Sequence, residues 1–307
     1  MLTRIFATSK PLNFLWVSLY LLLIFALDWF YTCNRGYDIW AILEFLSMSG
    51  LLIFSILLVD FIVRKNELSK KNSFVVVAYS FLLAMIPISK LELTGVVAHV
   101  LVLMAIRRII SLQSLKSVKK KLYDATFWIA IAALAWYGAG GILLLVFVGV
   151  LLFDASDYRN WLVPFFAVLT VGIIYLAGFW VINDQLPQYF QLQDWNFDLS
   201  EFKSMQTAWP AAYLLALSAV VVPAYWLGFR KIMLIRKKRQ LFIVFAAIVA
   251  WLVAFGVQPA QTQSLIFLMF PLGVALANLT ERNQQRPITE ILLWAFLLLP
   301  FAARTVI

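Results

Sequence analysis

One cysteine, Cys33, and one histidine, His99, stand in 307 residues. A single cysteine excludes an internal disulfide and any cysteine-based metal cluster. A single histidine with no cysteine near it leaves no zinc-ligand pattern, so no metal and no cofactor is assigned. Charge is scarce as well: Asp, Glu, Lys and Arg make up 13% of the chain, where a soluble domain carries about 25%. The sequence has no phosphate-cradling glycine loop, no zinc-protease helix and no nucleophile elbow. Long soluble stretches, low-complexity tails and clear internal repeats are also missing. In their place is apolar surface, with 64% of residues hydrophobic. That is too much for one buried core, so part of it must face something other than water.

Eleven apolar segments can be marked, near 12–32, 39–63, 73–88, 94–110, 123–137, 141–153, 160–182, 208–229, 241–257, 264–280 and 288–303. Runs of about 17–25 apolar residues are what a helix needs to cross a bilayer. The expected fold is therefore all-α: a polytopic transmembrane helix bundle of about eleven spans, forming one integral membrane domain over 1–307. The opening "MLTRIFATSKPLNF" precedes an apolar run without the small-residue cleavage site of a signal peptide. The "FYTC" before Cys33 likewise lacks that of a lipoprotein, so 12–32 is read as the first span.

Net charge is +10, and it comes in short bursts between the apolar runs. The densest is "RRIISLQSLKSVKKKLYD", residues 107–124. With the N-terminus cytoplasmic and the chain alternating, all but four of the 25 basic residues fall inside, the exceptions being Arg35, Lys90, Lys203 and Arg304. Such a bias sets orientation and places the C-terminus outside. The bursts are thus expected to fix topology and touch anionic lipid headgroups, at roughly 1 kcal/mol per basic residue. Nucleic acid is not an expected partner. One stretch tests the scheme: 123–153 is long for one helix and short for two, with "WYGAGG" at its middle. A single crossing would put Arg230 to Arg239 outside, against the charge rule. It is read as two short helices turning at residues 138–141, with a re-entrant hairpin as the alternative.

Ionisable groups in a membrane domain are costly and are the first candidates for chemistry. Asp28 lies near the outer end of the first span and Glu44 near the outer start of the second, at similar depth by the 1.5 Å rise per residue. Arg35 and Asp38 sit in the turn between them. Asp28, Asp38 and Glu44 are the candidate catalytic or cation-binding acids; neutralisation by Arg35 and by water is the plain alternative. The longest outside loop, 183–206, interleaves Asp194, Asp198 and Glu201 with Tyr189, Trp195 and Phe202. Rings with carboxylates suit sugar recognition and interfacial docking equally. Arg35, Asp194, Trp195, Asp198 and Lys203 are the candidate substrate- or partner-binding residues. His99 is expected to be hydrogen-bonded inside the bundle, and Asp60 to pair with Arg64 four residues on. Asp124, Asp157 and Glu290 are expected at inside helix starts, where the dipole favours a carboxylate. Pro87, Pro164, Pro210, Pro223, Pro271 and Pro300 fall in or beside spans, where kinks open gaps.

Four pieces in order, "SKPLNF", "VDFIVRKNELSKKNSF", "AIRRIISLQSLKSVKKKLYDATFWIAIAAL" and "DYRNWLVPFFAV", resemble an uncharacterised family of multi-pass inner-membrane proteins of Bacteroidota. The likeness covers most of the first 180 residues. It implies a bacterial inner-membrane location and assigns no activity. With no catalytic constellation standing out, the expected function is a non-enzymatic subunit or scaffold of a cell-envelope complex, partnered by the bilayer and by an envelope protein. The alternative is a glycosyltransferase or glycan polymerase using polyprenyl-linked sugars at the outer face, with Asp28 or Asp38 as base. A transporter ranks third.

Overall fold

The computed structural model describes residues 2–8, 10–32, 38–70, 72–184, 205–228, 234–256, 262–282 and 287–306. Among these the structure is all-helical, with no strand. A short α1 (Leu2–Phe6) precedes eleven further helices: α2 (Pro11–Thr32), α3 (Ile39–Lys65), α4 (Phe74–Met85), α5 (Leu93–Ile110), α6 (Val118–Ala135), α7 (Leu144–Phe153), α8 (Tyr158–Asn183), α9 (Met205–Leu227), α10 (Leu234–Gly256), α11 (Met269–Arg282) and α12 (Pro287–Val306). Each apolar segment of the sequence falls on one of α2 to α12. Among the described residues, seven stretches are long and apolar enough to cross a membrane: Pro11–Tyr31, Ile39–Lys65, Leu93–Ser114, Tyr158–Asn183, Ala208–Leu227, Lys237–Gly256 and Thr262–Arg282.

Burial ranks these helices in a way hydropathy does not. All twelve side chains of α4 are buried. Thr262–Arg282, a 3₁₀ turn (Thr262–Leu268) leading into α11, is 89% buried over its apolar window, whereas Tyr158–Asn183 is 11% buried. The centre of the bundle is therefore α4 against α11, wrapped by α2, α3 and α12. At 1.5 Å per residue α4 spans about 18 Å, short of the ~30 Å hydrocarbon core. Only neighbours can shield its ends, and they do. The contact with α11 is close because Gly273 faces Tyr79: a Cβ there would lie 3.2 Å from the Tyr79 Cα.

Contacts between helix ends sort the bundle into two poles. At one, Arg239 of α10 donates to the Asn66 carbonyl at the end of α3. Asn72, just before α4, donates to Glu281 of α11 at 2.9 Å. Lys119 and Asp157 join the starts of α6 and α8 at 3.1 Å, and Thr3 donates to Glu290 in the first turn of α12 at 2.9 Å. At the other pole, Asp28 accepts from the Ser89 amide after α4, and the Glu92 amide before α5 donates to Gln263 at 2.7 Å. Most described basic residues lie on helix ends at the first pole. Of those described, the exceptions are Lys90, which shares the second pole with Asp28, Asp38, Glu44 and Glu92, and Arg304, near the far end of α12.

The 123–153 stretch is two helices, α6 and α7, broken by a 3₁₀ turn at Tyr137–Leu143. Both outer ends lie at the basic pole: Lys119 of α6 holds Asp157, and Asn160 of α8 donates to Asp154 just beyond α7. The chain thus runs in and back. Glycine is needed at the turn, where a Cβ on Gly138 would meet the Trp136 ring at 2.1 Å and one on Gly141 would meet Val253 at 2.7 Å. Two of the three expected helix-start acids sit as expected. Asp157 caps α8, accepting from the Arg159 amide at 3.0 Å, and this bond, ahead of Lys119, holds its carboxyl below the ordinary range. Glu290 lies in the first turn of α12. Asp124 is a correction: α6 begins at Val118, so Asp124 lies within the helix and pairs with Arg108 at 3.1 Å.

Candidate functional site

The three candidate acids, Asp28, Asp38 and Glu44, differ in setting. Trp29 and Phe45 meet with ring centroids 5.2 Å apart, which brings the end of α2 and the start of α3 to one level, as the rise count predicts. Asp28 is buried and accepts from the Ser89 amide at 3.2 Å. It ties α2 to the 3₁₀ turn Ile88–Lys90. Asp38 precedes α3 at the N-cap position without a side-chain cap bond and is exposed. Glu44 is exposed on α3. Arg35, Asp194, Trp195, Asp198 and Lys203 lie outside the described residues. The described contact of Asp28 is to a neighbouring turn, which it holds in place.

Deeper in the bundle is a polar chain that spans three helices. Ser55 of α3 donates to the Leu52 carbonyl at 2.6 Å and lies 2.8 Å from the Tyr79 hydroxyl of α4. That hydroxyl is 2.7 Å from Nε2 of His99 on α5. A serine hydroxyl has one hydrogen. Given to Leu52, it leaves Tyr79 to donate to Ser55, and His99 Nε2 to donate to Tyr79. The ring is thereby assigned its Nε2–H tautomer. His99 Nδ1 is buried and has no partner among the described residues. The histidine was expected inside the bundle, but Tyr79 was not singled out. Its only signal in sequence was a polar atom in mid-span, shared with Ser55 and His99. A Tyr79→Phe variant keeps the packing and strands the His99 Nε2–H, at about 1–3 kcal/mol, while Ser55 keeps its bond to the Leu52 carbonyl. We expect its unfolding temperature in detergent to fall clearly; an unchanged value would mean that the chain adds nothing to stability.

A second polar set fixes the basic pole. The connection from α3 to α4 is held by Glu281, which accepts from the Lys70 amide at 3.2 Å and from Asn72. Asn278 donates to the Leu68 carbonyl at 3.1 Å. The Ser73 amide donates to Phe6 at 3.0 Å, and Asn13 to Ser73 Oγ at 3.2 Å. Helices α1, α2, α10 and α11 all grip this one connection. Asp60 and Arg64 pair at 2.7 Å, as their spacing predicts.

The least covered element is α8. Its buried residues, Asn160, Pro164, Ala167 and Val171, form one stripe, with α6 its main neighbour. Beyond Val171 no side chain of α8 is buried. Gly172 and Gly178 have no neighbour within 4 Å of where a Cβ would stand. Comparison with protein-family models, with curated proteins and with solved structures finds no match to this chain.

Proposed function

We propose that this chain is a non-enzymatic subunit of a cell-envelope complex in a bacterial inner membrane, and that the far half of α8 is where a partner helix docks. The bundle would cross about eleven times, with the N-terminus inside and the C-terminus outside. The gathering of basic residues at one pole supports this orientation through the positive-inside bias. The observation that carries the docking reading is the bare half of α8. Twelve residues, from Gly172 to Asn183, cover about 18 Å of the membrane with no side chain buried. Two of them are glycines, each costing a helix roughly 1 kcal/mol relative to alanine. Glycine repays that cost where a second backbone comes close, because packing between membrane helices relies on small residues. The aromatic and acidic loop that follows, with Asp194, Trp195, Asp198 and Lys203, would extend the same contact at the outer surface.

Photo-crosslinking in cells tests this. A crosslinking amino acid at Ile173 or Leu176 should give a protein adduct of defined mass. The same residue at Leu19, exposed on α2, should not. Gly172→Leu with Gly178→Leu should abolish the adduct at unchanged abundance. Lipid-only adducts from both α8 positions would sink the docking reading.

A further inference from the structure

The basic burst at 107–124 does more than line an inner surface. Its first part ends α5, makes a 3₁₀ turn at Ser111–Ser114, and turns into α6 through left-handed residues at Leu115 (φ 54°) and Ser117 (φ 50°). Neither is glycine, so each costs about 1–2 kcal/mol in backbone strain. The turn folds Lys121 back toward Arg107 and Arg108, and the end of α3 adds Lys65. These four cations line one pocket of about 290 Å³. That is at the lower end of the roughly 300–1,000 Å³ typical of small-molecule sites.

Three of the four cations in this pocket are not neutralised by the described residues. Arg108 pairs with Asp124. Among the described residues, Lys65, Arg107 and Lys121 have no carboxylate within ion-pair distance, and no acid lines the pocket. Partial burial, and then the charges of Arg108, Lys65 and Lys116, hold the Lys121 ammonium below its ordinary value. The cations are nevertheless set in place. Arg107 and Lys65 both sit over the Phe61 ring, at 4.7 and 5.4 Å from its centre. Lys121 donates to the Ser111 carbonyl at 2.7 Å and to Ser114 Oγ at 2.6 Å. An ammonium has three hydrogens, so one remains. The side-chain oxygen of Gln113, another residue of the pocket wall, is buried without a partner among the described residues.

We propose that this pocket binds a phosphate-bearing anion, held by Lys65, Arg107 and Lys121. Guanidinium and ammonium groups converging without acids are the chemistry that recognises phosphate. The pocket lies at the basic pole where α3 and α5 end, so two sources meet the chemistry: the headgroup of an anionic lipid and a soluble phosphate compound. The proposal is independent of whether α8 docks a partner.

The test uses the full chain, delipidated in a non-ionic detergent and followed by tryptophan fluorescence on heating. The probes are dioctanoyl-phosphatidylglycerol, dioctanoyl-phosphatidylcholine, inorganic phosphate, and sodium chloride at matched ionic strength. A hundredfold excess over Kd should raise the melting temperature by ~5 °C. A shift with phosphatidylglycerol alone identifies a lipid headgroup. A shift of similar size with inorganic phosphate identifies a soluble source. Arg107→Gln with Lys121→Gln should remove the shift, while Lys237→Gln with Lys238→Gln, exposed and outside the pocket, should keep it. If the first pair does not fold, exposed Lys65→Gln serves in its place. The proposal is overturned if neither anion exceeds chloride and phosphatidylcholine, or if the control pair loses the shift equally.

Discussion

A Gly273→Leu variant is expected to fail to accumulate as folded protein, and Gly273→Ala to lose about 1–3 kcal/mol. The Cβ that alanine adds would lie 3.2 Å from both Cα and Cβ of Tyr79 and 3.3 Å from its backbone nitrogen. Two of those atoms are backbone, and the helix that carries them is buried along its whole length. Tyr79 cannot yield by changing rotamer; α4 itself must move, against α2, α3 and α12. The movement would also pull Tyr79 from Ser55 and His99, so the damage compounds. Unfolding temperatures of the two variants in detergent decide the matter. Wild-type stability in Gly273→Leu would mean that α4 and α11 are not closely packed.

Glu281→Ala should cost about 2–6 kcal/mol, from two stranded donors at roughly 1–3 kcal/mol each. The carboxylate is buried and receives the Lys70 amide and the Asn72 side chain. Glu281→Gln keeps an acceptor oxygen and should recover at least half of the loss. The comparison separates loss of hydrogen bonding from loss of charge. Equal melting temperatures for wild type and Glu281→Ala would show that the connection from α3 to α4 is held by its other contacts. Asn66, at the start of that connection, also lines the phosphate pocket. A loosened connection should therefore weaken the anion's effect in the same preparation.

Much of the helical layout was legible in sequence because crossing a membrane imposes a simple demand on apolar length. Each marked segment became a helix, and the break at residues 136–143 followed from Gly138, Gly140 and Gly141 between two short runs. The rank of the helices was not legible. α4 and α8 are both apolar, yet one is wholly buried and the other mostly bare. Lipid and protein interior look alike to a hydropathy scale, so such a scale cannot sort them. The candidate sites divide the same way. Asp28 stood out as an ionisable group in a span, but its bond to Ser89 depends on where α4 ends. Lys65 and Lys121 are far apart in sequence, and only the fold of α3, α5 and α6 puts them in one pocket. A basic burst reads as a surface until something brings a second helix to it.

The shortness of α4 bears on how the protein is made. Twelve residues are too few to settle across the bilayer alone as they leave the ribosome. Its principal neighbour, α11, begins roughly 190 residues later, about 10–40 s of synthesis at 5–20 residues per second. During that interval α4 must wait beside α2, α3 and α5, half packed. The bundle closes only when roughly the last eighth of the chain arrives, so a nascent chain cut short before α11 is marked by an unfilled seam along α4, open to membrane proteases that a finished molecule would resist.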